Sequence, residues 1–170
     1  SLPTEMSLDS NGQMCFRPIR ELETLRHEKK EKNRIQLKKN SSLLIDGIKG
    51  DHYEIELVIS NTGNRSFGID VLCNEEGEDG LRIKVNREKN LLEVGDQNGD
   101  FTLHSDEPLS LRIFVDACLV EVFANEKQVV MADKKRPAGS KIKDRITFFT
   151  SGSDLLIDRL SFWKMKSAYN

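Results

Sequence analysis

Apolar and polar residues alternate along most of this chain, the period-two pattern of strands that turn one face to a core. From Tyr53 to Ser60, Ile55, Leu57 and Ile59 share one face, and Glu54, Glu56 and Val58 share the other. Phe67, Ile69 and Val71 alternate with Gly68, Asp70 and Leu72, and Leu81, Ile83 and Val85 alternate with Arg82 and Lys84. Leu109, Leu111, Ile113 and Val115 alternate with Ser110, Arg112, Phe114 and Asp116. Further strands are predicted near 35–38, 43–45, 90–95, 100–104, 119–124, 128–133, 144–150 and 155–164. Turn residues separate these runs at Asn61-Thr62-Gly63-Asn64, from Glu75 to Gly80, at Asp96-Gln97-Asn98-Gly99 and at Pro137-Ala138-Gly139. One segment, Ile19 to about Lys32, has a helical pattern, short enough to be one turn followed by loop.

About eleven or twelve strands with almost no helix must bury their apolar faces sheet against sheet. The pattern predicts an all-β, two-sheet antiparallel β-sandwich of the concanavalin A-like or jelly-roll kind. If Ala117-Cys118 forms a two-residue loop, Val115 faces Val120 and Ile113 faces Val122 on the core side. The opposite face then sets Phe114 across from Glu121 and Arg112 across from Phe123. In the last strand Leu155 and Ile157 fall out of phase with Leu160 and Phe162, which predicts a bulge near Asp158-Arg159.

The 170 residues suit one domain, or one domain with a short docking segment, and suffice for a core without disulfide or metal staples. Charged residues make up 32% of the chain, but 26 basic side chains nearly balance 28 acidic ones, leaving a net charge of -2. That balance argues against a nucleic-acid partner, which requires a concentrated basic surface. The basic run from Lys29 to Lys39 also contains Glu31 and reads as a solvated loop. No apolar stretch approaches the ~18 residues of a membrane span. The first residues, Ser1-Leu2-Pro3-Thr4, lack an initiator Met and a signal-peptide pattern, and are expected to belong to a longer protein.

Cys15, Cys73 and Cys118 are too widely spaced for a metal or redox pair and read as free structural thiols. His27, His52 and His104 are scattered, and phosphate-loop, dinucleotide and nucleophile-elbow motifs are absent, so no metal and no cofactor is predicted. Asp96-x-Asn98-x-Asp100 with Glu107 has calcium-loop spacing, but Phe101 replaces the required Gly and no helices flank it. Glycoside hydrolysis needs two carboxylates held on opposite sides of a sugar, and most acidic residues here fall in solvated turns. No catalytic residue is predicted.

The stretch Leu109-Ser-Leu-Arg-Ile-Phe-Val-Asp116, followed by Val120-Glu-Val-Phe-Ala-Asn125, resembles the C-terminal β-sandwich of glycoside hydrolase family 32, the invertases, levanases and inulinases. Val129-Val-Met-Ala-Asp133, Arg136-Pro137, Phe67-Gly68-Ile69 and Leu160-Ser-Phe-Trp163 continue the similarity in order. Leu2 to Leu8 and Pro18 to Arg26 resemble the segment joining that family's propeller to its sandwich. Where the family commonly has Asn-Asp-Gly, this chain has Asn125-Glu126-Lys127. The family's Asn-Asp-Pro, Arg-Asp-Pro and Glu-Cys catalytic motifs, which belong to an N-terminal five-bladed propeller, do not occur.

The resemblance implies a parent enzyme that cleaves β-fructosidic bonds in sucrose, levan or inulin, with retention. It implies a propeller catalytic domain in the same polypeptide as partner. It divides the chain into a linker and docking segment over 1–26 and an accessory sandwich over 27–170, whose role is to support the propeller. The alternatives are a fructan- or fructose-binding module and a stand-alone lectin-like domain. For sugar binding the candidates are Arg112, Phe114, Asp116 and Glu121, with Glu56 and Asp158 from neighbouring strands, because sugars are held by planar hydrogen-bonding groups beside an aromatic surface. The plain alternative is an ordinary Arg112–Glu121 surface ion pair, worth little. The compartment stays open between a secreted or periplasmic and a cytoplasmic parent.

Overall fold

The computed structural model describes residues 1–60, 66–104, 107–135 and 145–167. The turns expected at 61–64 and 137–139 lie outside them. The chain opens with a hairpin of β1 (Thr4–Leu8) and β2 (Met14–Pro18), followed by a 3-10 helix over Arg20–Leu25. Then come β3 (Arg26–Leu37), β4 (Ser42–Leu44), β5 (His52–Ile59), β6 (Phe67–Cys73), β7 (Leu81–Asn86), β8 (Leu91–Val94) and β9 (Gln97–Asp100). The remainder is β10 (Leu109–Asp116), β11 (Leu119–Ala124), β12 (Gln128–Asp133), β13 (Arg145–Thr150) and β14 (Leu155–Met165).

Apart from the first hairpin, these strands form two six-stranded antiparallel sheets, ordered β12-β11-β10-β5-β14-β3 and β4-β13-β6-β7-β8-β9. The sandwich follows from the alternation. Ile55, Leu57, Ile113, Val120 and Val122 of the first sheet are fully buried in one core with Ile69, Ile83, Val85 and Phe148 of the second. Tyr53 and Phe162 stack at 5.2 Å within it. Each such side chain stabilises by roughly 1.5–3 kcal/mol through water exclusion, which offsets the ordering entropy of the strands. Along one side the sheets close on each other, with Gln128 Nε2 donating to the Asp100 carbonyl at 2.9 Å. Gly68 has no room for a side chain, since a Cβ there would sit 1.9 Å from the Ile83 carbonyl oxygen.

The β10–β11 hairpin has the expected register, with Val115 opposite Val120, Ile113 opposite Val122, Phe114 opposite Glu121 and Arg112 opposite Phe123. Elsewhere the structure departs from the sequence expectation. The helical reading of Ile19 to Lys32 holds only for the 3-10 turn at Arg20–Leu25, and the chain then extends. The basic run is not a loop. It lies largely within β3, a twelve-residue strand at the edge of its sheet, where period-two apolarity is lost because charges occupy both faces. Edge strands carry such charges, and bulges, because an apolar edge would pair with other chains. Here Glu28 and Arg34 take left-handed φ values of 48° and 54°.

A strand was expected over 100–104, but β9 ends at Asp100, because the reversal comes earlier at Gly95-Asp96, with Gly95 at φ 58°. Ile157 and Leu160 are both buried despite their odd spacing, yet β14 and β3 stay in register past Asp158-Arg159. The shift in pairing lies farther on, between Phe162 and Lys164. The strands keep register because β3 is itself irregular at that point, with Arg34 in its left-handed conformation.

Candidate functional site

The outer face of the first sheet carries the candidate residues. One cross-strand row runs Met131, Glu121, Phe114, Glu54, Trp163, and the next runs Val129, Phe123, Arg112, Glu56, Ser161. A sheet face bearing two phenylalanines must be covered or remain a sticky patch. The N-terminal segment covers it. Leu22 of the 3-10 helix is buried with Phe114 and Phe123, and Leu2, Phe16, Ile19 and Leu25 pack around them. The two rings meet edge to face, 5.9 Å apart at 80°, a geometry favoured by their quadrupoles.

Polar contacts fasten this strap at both ends. The Leu2 amide donates to Glu121 Oε2 at 2.7 Å, and the Ile19 amide donates to the Pro3 carbonyl at 3.1 Å. The Phe16 amide donates to the Glu126 carbonyl at 2.7 Å, and Arg17 Nε donates to the Glu126 carboxylate at 2.6 Å. Asn125 and Glu126 reach these positions with φ values of 47° and 58°. A left-handed glutamate is sterically costly, and here its backbone and side chain both hold β2.

At the junction of strap and sandwich lies a buried carboxylate. Glu54 is fully excluded from solvent. Arg26 grips it in a two-bonded fork, Nε to Oε2 and Nη2 to Oε1, both at 2.7 Å. Arg112 Nε donates to Oε1 at 2.8 Å, while its Nη2, 2.7 Å from that oxygen, is out of hydrogen-bond alignment. Arg26 also lies over the Trp163 ring, 4.2 Å from its centroid. Burial acts to lower the Arg26 pKa, but the hydrogen bond and charge of Glu54 outweigh it and hold the guanidinium above its ordinary value.

The structure thus separates the six candidates. Arg112 is paired with Glu54, not with Glu121. Phe114 and Glu121 lie buried beneath the strap. Glu56 pairs with Arg159 at 2.8 Å, and Asp158 accepts from the Ser60 amide. Asp116 is exposed at the β10–β11 turn, where its carboxylate is 3.1 Å from His52 Nε2. Arg26, Glu54 and Trp163 were not anticipated as a unit. Their only sequence signal was an acidic residue, Glu54, near the start of a largely apolar strand.

Between β2 and the β11–β12 turn opens a cleft of about 280 Å³. Phe16, Phe123 and Pro18 give it apolar surface, and Arg17, Arg20, Arg112, Glu5, Glu23 and Asn125 give it donors and acceptors. Among the described residues no three His, Cys, Asp or Glu side chains gather as a metal group. Asn98 and Asp100 of the calcium-like spacing stand in β9, and residues 105 and 106 of that loop lie outside the described residues.

A sandwich covered by its own N-terminal strap, with its outer polar groups turned to internal ties, matches one family model. That model, described as Glycosyl hydrolases family 32 C terminal, aligns with residues 21–164. The chain belongs to this family. A sucrose-6-phosphate hydrolase and a raffinose invertase of Escherichia coli are 22% and 25% identical to it, each over 97% of this chain and 34% of the relative. The chain therefore spans about a third of the length of these relatives, and the family's catalytic domain is not within its 170 residues.

Among solved structures, fructan 1-exohydrolase IIa from Cichorium intybus matches with a TM-score of 0.78 and 18% identity, over 99% of this chain and 41% of that one. Exo-inulinase from Aspergillus awamori matches with a TM-score of 0.76 and 16% identity, over 99% and 36%. At these identities the likeness is one of fold. It extends to the strap, since nearly the whole chain is covered.

Proposed function

We propose that the family 32 module acts as the non-catalytic scaffold of a longer β-fructosidase-type enzyme, docking on and stabilising a catalytic propeller in the same polypeptide. One observation carries this reading: the polar groups of the outer face are spent on structure. Glu54 holds Arg26 and Arg112, and Glu121 holds the backbone of Leu2, so these groups join the entering segment rigidly to the sandwich. A rigid junction fixes one domain relative to the next, whereas a flexible one would leave them tethered but independent. Residues 1–26 are the docking segment in this reading. The test compares thermal unfolding and sucrose, levan and inulin hydrolysis of the full-length enzyme with those of its catalytic part alone. Loss of the module is expected to lower the midpoint and shorten the activity half-life, and unchanged values would refute the scaffold role.

The cleft favours a second reading. Guanidinium and carboxylate groups of nearly balanced charge beside two aromatic rings suit a neutral, hydroxyl-rich ligand such as fructose or a fructan end. Arg112 would be the residue contributing to it from the original candidate set. Calorimetric titration of fructose, inulin and levan into the module decides this, and absence of heat at millimolar sugar would exclude it.

A further inference from the structure

Within the β1–β2 hairpin, ladder partners share a face: Thr4 with Pro18, Met6 with Phe16, and Leu8 with Met14. This apolar row begins against the sandwich, where Pro18 is buried and Phe16 packs on the Phe114–Phe123 cluster. It then runs into solvent, leaving Met6 and Leu8 each 65% exposed and Met14 48% exposed. Only two other large hydrophobic side chains among the described residues are comparably exposed, Leu43 and Met131. Three adjacent apolar side chains on a latched hairpin are a costly surface to leave wet. Unbranched methionines adapt to an irregular apolar partner. The platform is also preorganised, because Glu126 and Glu121 already hold the strap, so little ordering entropy remains to oppose binding.

The matched model is the family's C-terminal one and this chain covers about a third of the relatives' length, so in those relatives the catalytic part precedes the strap. A partner joined close to β1 is held at high effective concentration beside Met6 and Leu8. We infer that the exposed face formed by Met6, Leu8 and Met14 is the contact through which the module seats on an apolar surface of the preceding catalytic domain. This inference rests on the scaffold reading and specifies its contact.

The test places Leu8→Glu with Met14→Glu in the full-length enzyme, and the milder Leu8→Ser with Met14→Ser beside it. Leu43→Glu, on β4 of the other sheet, serves as the control. Because the hairpin side chains are exposed in the module, its own unfolding midpoint is expected to stay unchanged with either pair. In the full-length enzyme the hairpin pairs, but not Leu43→Glu, are expected to split one unfolding transition into two. Proteolytic separation of the domains should quicken by about tenfold or more, as for loss of two apolar contact anchors. A single unshifted transition in the full-length hairpin variants would overturn the inference. If deleting the module still destabilises the enzyme, the scaffold reading survives and only this contact falls. If deletion also has no effect, both fall.

Discussion

Arg112 reaches diagonally across the β5–β10 ladder, past its register partner Glu56, to donate to Glu54 Oε1 at 2.8 Å. Glu54 has no solvent, and Arg26 occupies its other oxygen. Removing one member of such a group strands the others without compensation. Glu54→Ala is expected to destabilise the module by ~3–5 kcal/mol in denaturant unfolding, leaving two guanidiniums without their anion. A cost below about 1 kcal/mol would mean that water replaces the carboxylate without penalty.

Leu22 of the strap is buried against Phe114 and Phe123. Leu22→Ala should cost ~2–3 kcal/mol and should loosen the strap ahead of the sandwich. Hydrogen exchange would show this as faster exchange of the β1–β2 amides, with β5 and β10 protection lowered less. Equal loss in both would make strap and sandwich one cooperative unit.

Glu126 holds φ 58°, a conformation suited to glycine, while its carboxylate makes an ion pair with Arg17 in which both side chains are half exposed. An exposed pair contributes only ~0–1 kcal/mol, and a left-handed non-glycine residue costs roughly 1–2 kcal/mol. Glu126→Gly is therefore expected to be neutral to stabilising by up to about 1 kcal/mol, read from the denaturant midpoint. The Phe16 bond to the residue 126 carbonyl is retained, so strap exchange rates should not rise.

Burial, aided by the nearby Asp70 charge, pushes the Cys73 thiol up to about 11. In the unfolded chain the thiol ionises near its ordinary value of 9.0. Between these values the unfolded state releases the proton and the folded state retains it, so this contribution is intact below 9 and is lost as pH rises toward 11. A decline of order 2 kcal/mol is expected across that window. Cys73→Ala should flatten it relative to the parent protein. At pH 8, thiol reagents should modify the partly exposed Cys15 and Cys118 while Cys73 reacts only after unfolding.

Period-two alternation was enough to foretell the sandwich, because a strand's side chains must alternate between core and water whatever they pack against. The β10–β11 pairing followed residue by residue, since a two-residue loop at Ala117-Cys118 fixes register from local geometry. Only the end of β3, the strand expected near 35–38, was legible; the rest was hidden because its charges obey a different demand, protection of a sheet edge, which leaves no apolar period to read.

The sequence by itself determined the two-sheet class, the family resemblance and which residues share the outer face. It could not determine what that face does, because a face is a local property and its covering is a long-range one. Only the tertiary structure set Leu2 on Glu121 and Leu22 on Phe114, contacts that close over nearly a hundred residues or more of chain. Only it carried Arg26 and Arg112 to the same carboxylate. Of the residues that alternation offered as a sugar face, Glu121 and Arg112 carry internal ties, while Asp116 stays exposed at its turn. The surface left to meet a partner is a hairpin that alternation did not mark at all.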